Sequence, residues 1–153
     1  MPLTTVKPIT ILMADDDEDD RLLTQDALAE SRVLNELHFV EDGVELLEYL
    51  ERKGKFEDKT LSPRPGLILL DLNMPRMDGR EALQAIKANP NLKGIPVVIL
   101  TTSKQEEDMV KGYDLGAASY ITKPVTFDGL VELMKTLGKY WVEFVELPST
   151  FND

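Results

Sequence analysis

Two stretches of this chain are apolar without interruption, and they limit what it can fold into. Gly66-Leu-Ile-Leu-Leu-Asp71 and Pro96-Val-Val-Ile-Leu-Thr101 each set four apolar side chains in a row behind a Gly or a Pro. Successive side chains of a strand point to opposite faces. A strand with no polar alternate is therefore covered on both sides, the condition of a parallel sheet with helices above and below. Ile9 to Ala14 reads as a first strand, the shorter Leu37 to Val40 as a second, and Ser119-Tyr-Ile-Thr122 as a fifth, before Lys123-Pro124.

Helical patterns fill the intervals. Glu18 to about Ser31 carries Leu22, Leu23, Ala27 and Leu28, and Gly43 to Arg52 carries Val44, Leu47 and Leu50. Gly79 to Ala88 and Gln105 to Leu115 are shorter. Asp128 to Leu147 reads as one last helix, with Leu130, Leu133, Met134, Leu137, Trp141, Phe144 and Val145 in a single stripe at steps of three and four. That stripe is read as core packing rather than a cofactor box. Lys53 to Pro65, rich in Gly, Pro and charge, reads as a surface loop. Strand and helix alternate five times, which predicts an α/β, doubly wound, five-stranded parallel sheet with right-handed crossovers.

A chain of 153 residues suits one domain rather than two. Its formal net charge of -11 disfavours direct binding to nucleic acid, which calls for a basic patch. With no cysteine, a disulfide scaffold, a thiolate metal site and a cysteine nucleophile are excluded. Met1 to Thr10 lacks the long apolar run of a signal peptide, and no segment approaches the ~20 apolar residues of a membrane span. A cytoplasmic protein without membrane contact is the expectation.

Sites in open α/β sheets form at the carboxyl ends of the strands. The first strand ends in Asp15-Asp16, the third in Asp71 followed by Leu72-Asn73-Met74-Pro75, the fourth in Thr101-Thr102-Ser103, and the fifth in Lys123-Pro124. Carboxylates, hydroxyls and one ammonium are thus expected on one edge. Two carboxylates about 5 Å apart repel by roughly 1–3 kcal/mol for effective dielectrics between about 80 and 20. Such a cluster calls for a cation, and Mg²⁺ fits, because it takes few protein oxygens and binds phosphate oxygens. A carboxylate so neutralised can attack a phosphoryl group, while Lys123 and the Thr101 hydroxyl absorb charge on its oxygens. Asp71 is then a phosphoryl acceptor.

Each feature has a plainer reading. Asp17, Glu18, Asp19 and Asp20 read as a solvated first helical turn, where negative charge suits the helix dipole. Asp71 alone could cap a helix, and Thr101 and Lys123 alone would be ordinary strand and turn residues. Only in combination do they point to phosphoryl chemistry. His38, the sole histidine, lies away from the proposed edge and reads as structural.

The segments Ile11-Leu-Met-Ala-Asp-Asp16, Leu70-Asp-Leu-Asn-Met-Pro-Arg-Met-Asp-Gly79, Leu100-Thr-Thr and Gly116-Ala-Ala-Ser-Tyr-Ile-Thr-Lys-Pro124 resemble the receiver family of two-component response regulators, over about residues 8 to 140. The resemblance implies a flavodoxin-like, three-layer α/β/α fold with strand order 2-1-3-4-5. It implies Asp71 as phosphoacceptor, Asp16 as a direct Mg²⁺ ligand, Asp15 as a ligand through water, and Asn73 as a ligand through its backbone carbonyl. Thr101 and Lys123 would contact the phosphoryl group, Tyr120 would be the aromatic switch paired with Thr101, and Ser103 would influence the lifetime of the acyl phosphate. A histidine kinase would supply the phosphoryl group, and a downstream protein would read the switch.

Residues 1–148 are expected to form one receiver domain, 149–153 a short tail, with no output domain. The closing segment Lys139 to Pro148 and the long loop after the second helix resemble small regulators that partner phytochrome-type kinases, which implies a light-sensing pathway and a homodimer. Multiple-turnover enzyme activity is not expected. Alternatives are a Mg²⁺-dependent phosphohydrolase, which usually carries a second Asp where this chain has Asn73, and an unphosphorylated scaffold. A flavin module would need a phosphate-cradling loop after the first strand, where this chain places six acids.

Overall fold

The computed structural model describes residues 9–32 and 35–144, with side chains to residue 139. Five strands alternate with five α-helices: β1 (Thr10–Ala14), α1 (Glu18–Glu30), β2 (Glu36–Val40), α2 (Gly43–Glu51), β3 (Leu67–Asp71), α3 (Gly79–Ala88), β4 (Val97–Thr101), α4 (Lys104–Lys111), β5 (Ser119–Thr122) and α5 (Phe127–Phe144). The strands form one parallel sheet in the order β2-β1-β3-β4-β5. The doubly wound architecture and the strand order both agree with the sequence reading. No helix among the described residues is long and apolar enough to cross a membrane.

The uninterrupted apolar runs become the two most buried strands. Along β3, Leu67 and Leu69 face α1 and α5, joining Ile11, Met13, Ala27, Leu28, Val131, Met134 and Leu137. Ile68 and Leu70 face the other way, into a core with Leu46, Tyr49, Ala82, Leu83, Ile86 and Val110 from α2, α3 and α4. Both faces are covered, so no polar alternate is tolerated until the strand leaves the sheet. That is where Asp71 and Thr101 stand.

Short polar residues set the helix starts. Asp17, Asp42, Asp78 and Ser103 each accept hydrogen bonds from amides of the first turn of α1, α2, α3 and α4, and Asp78 with Glu81 completes a reciprocal capping box. Each such cap is worth about 1 kcal/mol. The helix α4 ends earlier than its pattern implies, at Lys111 rather than Leu115, because Asp114 and Gly116 take positive φ and turn the chain into β5. The segment from Lys53 to Pro65 is more ordered than a plain loop. It holds a 3₁₀ turn at Gly54–Phe56, Phe56 packs on Tyr49, and the Tyr49 hydroxyl donates to the Pro63 carbonyl at 2.8 Å. On α5, Met134 and Leu137 are buried as the stripe requires. The side chains of Trp141, Phe144 and Val145, the end of that helix at Leu147, and the expected tail lie outside the described residues.

One glycine bears directly on the site. A Cβ at Gly79 would lie 2.5 Å from the Asp71 carbonyl oxygen and 2.9 Å from Leu72 Cα, so the first turn of α3 sits against the end of β3 only because no side chain intervenes. Gly79→Ala is expected to lower stability in urea unfolding by about 1–3 kcal/mol. Gly94→Ala, whose Cβ would meet nothing within 4 Å, is expected to leave it unchanged or raise it by less than about 1 kcal/mol. Equal effects of the two would overturn the close-packing account.

Candidate phosphoryl-acceptor site

The sheet delivers its polar strand ends to one edge. Asp15 follows β1, fully buried, and its amide donates to the Val40 carbonyl at 3.0 Å, which fixes it against β2. Its carboxylate accepts the Asp17 amide at 2.9 Å. Asp71 ends β3 and accepts the Asn73 amide at 3.3 Å. Lys123 leaves β5, its own amide held by the Thr101 carbonyl at 2.8 Å. The ammonium then reaches three carboxylates, Asp71 at 3.0 Å, Asp15 at 3.0 Å and Asp20 at 2.8 Å. Asp15, Asp16 and Asp71 each offer an oxygen within 4.8 Å of the others.

Charge and burial oppose each other here. Burial is the largest influence on Asp71 and pushes its carboxyl up to about 6, although the Lys123 charge and hydrogen bond pull it down. Asp15 is raised for the same leading reason, against the Asp17 amide and Lys123. Burial disfavours the Lys123 ammonium, yet the carboxylates of Asp20, Asp71 and Asp15 outweigh it and hold the lysine charged. Four carboxylates, counting exposed Asp16, share one ammonium. Hard oxygen donors without nitrogen or sulfur are the donor set of a divalent cation such as Mg²⁺, Mn²⁺ or Ca²⁺. Asp15, Asp16 and Asp71 fit one in spacing and in unbalanced charge.

Thr101 is fully buried beside this cluster, its hydroxyl 3.2 Å from the Ser103 carbonyl and 3.5 Å from the Thr122 hydroxyl. Tyr120 is half-buried on β5 and packs against the core on the α4 side, opposite Ile99 and two residues before Thr122, the register partner of Thr101. Ser103 is exposed and caps α4. His38 pairs with Glu36 at 2.7 Å on β2 and meets Tyr49 edge-on, and belongs to none of the contacts around Asp71 and Lys123.

Several contributors escaped the sequence reading. Asp20, read as part of a solvated turn, is a partner of Lys123. The available signal was its place at the third position of α1, because helical side chains lean toward the N-terminus, here toward the site. Glu106 accepts from both Asn73 and Thr102. Burial works to raise its carboxyl, but those bonds outweigh it and hold Glu106 below the ordinary range. Glu107 is buried under α4 and accepts from Lys104, Lys111 and Thr122, which hold its carboxyl down at about 2. Asp42 binds the Arg76 guanidinium through both oxygens, at 2.8 and 3.1 Å, and secures the β3–α3 loop where Arg76 takes a positive φ.

The raised Asp71 carboxyl has a consequence for stability. The folded chain keeps this proton to higher pH than the unfolded chain does, so the contribution of Asp71 to stability is most favourable below about 3.8, falls as pH rises to about 6, and stays lower above that. Each pH unit climbed between those two values costs the folded state ~1.4 kcal/mol. Asp71→Asn, measured in chelator, is therefore expected to be more stable than the wild type at pH 8 by about 2–3 kcal/mol. The advantage should close as pH drops from about 6 to about 4. A less stable variant at pH 8 would show that the Lys123 contact outweighs burial.

Comparison with known proteins places this geometry. The family model of the response regulator receiver domain matches residues 11–135. Response regulator Rcp1 of Synechocystis sp. is 42% identical over 142 residues, covering 93% of this chain and 95% of Rcp1. The structure of the phosphorylated cyanobacterial phytochrome response regulator RcpA superposes with a TM-score of 0.80 at 42% identity, over 94% of this chain and 100% of RcpA. The Mn²⁺-bound form of Rcp1 superposes with a TM-score of 0.77, again at 42% identity, over 93% of this chain and 100% of that one. The acidic cluster, the lysine that bridges it and the sheet that assembles them are those of a receiver: the chain belongs to the response regulator receiver family.

Proposed function

We propose that this protein is a phosphorylation switch in which Asp71 takes a phosphoryl group from a phosphohistidine of a partner kinase. The observation that carries this is the buried Asp71 carboxylate, 3.0 Å from Lys123 and within 4.8 Å of Asp15 and Asp16. The P–N bond of the donor breaks as a bond forms between an Asp71 oxygen and phosphorus, and the product is an acyl phosphate. Asp16, Asp71 and the Asn73 carbonyl would hold Mg²⁺, with Asp15 assisting through water. When bound, the ion neutralises carboxylates and phosphoryl oxygens during transfer. Lys123 supplies a second positive charge, and Thr101 offers its hydroxyl once it leaves the Ser103 carbonyl.

Burial favours this chemistry in two ways. It excludes competing water, and it strengthens the attraction of Lys123 for developing charge. Asn73 stands where a hydrolase usually carries an acid/base Asp, and its carboxamide is engaged by Glu106. Both features favour a switch over a multiple-turnover enzyme. A shift of Thr101 reaches Thr122 and the Ile121 carbonyl on β5, next to Tyr120, and through Thr122 and Glu107 it reaches α4, which supports the face of α4, β5 and α5 as the output surface. An apolar cleft between α1 and α5 opens beside Lys123, with Leu23, Val125 and Phe127 exposed on it. That cleft gives a kinase a place to land next to Asp71. The likeness to phytochrome response regulators supports a light-sensing histidine kinase as donor; a cytoplasmic setting and homodimerisation complete the proposal.

Incubation with acetyl phosphate and Mg²⁺ is expected to add one phosphoryl group to the wild type, as read by intact mass, and none with chelator or in Asp71→Asn. Lys123→Ala should still be phosphorylated but should fail to shift the Tyr120 environment. No gain under any condition would favour the scaffold reading, and release of phosphate over many turnovers would favour a hydrolase.

A further inference from the structure

Glu106 belongs neither to the acidic cluster nor to an ion pair among the described residues, whereas its neighbour Glu107 is flanked by Lys104 and Lys111. It is held instead by neutral donors from two loops. The Asn73 carboxamide donates to its oxygens at 3.2 and 3.0 Å, the Thr102 amide donates at 2.9 Å, and the Thr102 hydroxyl at 3.2 Å. The β3–β4 register ends with Asp71 opposite Leu100, and Asn73 and Thr102, each two residues further along its own chain segment, both reach the same Glu106 carboxylate. The Asn73 backbone amide already points at the Asp71 carboxylate, 3.3 Å away.

Backbone N–H, hydroxyl and carboxamide groups converging from two loops are what an anion-binding rim consists of. A phosphoryl group on Asp71 would set three anionic oxygens against this rim. It would want the donors that Glu106 now holds, and like charge would oppose both anions staying. We infer that Glu106 is a positioning residue that acts as an internal anion. It occupies the phosphoryl-binding donors of Asn73 and Thr102 in the unphosphorylated chain and is displaced when Asp71 is phosphorylated. Because Glu106 lies in the first turn of α4, its release frees that helix end. Linkage makes the effect reciprocal: a partner that holds α4 with Glu106 in place weakens phosphorylation by the same factor by which phosphorylation weakens that partner. The inference rests on Asp71 being the phosphoryl acceptor.

Beryllofluoride, a phosphoryl mimic that needs no donor, tests it in the presence of Mg²⁺. Affinity is measured by titration for the wild type, Glu106→Gln, Glu106→Ala and Asp71→Asn, with the Thr102 amide and Asn73 carboxamide followed by ¹H–¹⁵N spectroscopy. Glu106→Gln keeps the shape and one accepting oxygen while removing the charge, so it separates the charge from any loss of packing. Both Glu106 variants are expected to bind about fivefold more tightly. In the wild type the Thr102 and Asn73 resonances should move on saturation, and in Glu106→Ala they should start displaced. Affinity in Glu106→Gln within twofold of wild type, or weaker, overturns the inference. So do Thr102 and Asn73 signals that ignore saturation. No binding by the wild type, or equal binding by Asp71→Asn, overturns the acceptor reading itself and this inference with it.

Discussion

The Lys123 ammonium among the carboxylates of Asp15, Asp20 and Asp71 is the contact on which the functional end of the molecule depends. Like charges buried this closely would drive the strand ends apart or take up protons. The lysine holds them together from the far side of the sheet's order, since β5 is separated from β1 by β3 and β4. The cost of burial is not fully offset, and the raised Asp71 and Asp15 carboxyls record the remainder. A site left short of positive charge in this way has a strong preference for a further cation, and a carboxylate within it has a reason to be reactive. The same burial that destabilises the chain prepares its chemistry.

Around that contact, two rims are tied down by unlike means. On one side Asp42 and Arg76 clamp the β3–α3 loop through a two-oxygen pair, and Gly79 lets α3 close onto the end of β3. On the other side α4 is attached lightly. Its buried side chains are Glu107 and Val110, and its first turn is joined to the site by Glu106. An element secured by one apolar side chain and a few carboxylate bonds is of the low-stability kind from which moving parts are drawn. The fixed rim sets the geometry around Asp71, and the lightly attached rim is the one able to respond.

Much of the site was legible because the parallel sheet turns sequence order into spatial order. Asp15 and Asp16 after one apolar run, Asp71 after another, Thr101 after a third and Lys123 after the weakest must meet at one edge if the strands are parallel. The contributions of Asp20, Glu106, Asp42 and Arg76 were not legible in that way. They lie on helices and loops, and their partners depend on rotamer and on distance across the edge rather than on strand position. Asp20 could have been placed by its turn of α1. Glu106 could not, because nothing in a Glu beside another Glu indicates that one faces Asn73 and Thr102 while the other faces Thr122.

By itself the amino-acid sequence determined the layers, the alternation and the polar strand ends, because uninterrupted apolar runs can be satisfied only between two layers of helix. Only the tertiary structure decided how the charges are shared. Which carboxylates surround Lys123, how far burial lifts Asp71, and whether Asn73 meets Glu106 are set by distances of about 3 Å between residues from 33 to 108 positions apart. Electrostatic and hydrogen-bond energies change steeply over such distances, and a sequence fixes neighbours along the chain but not separations of that size across it.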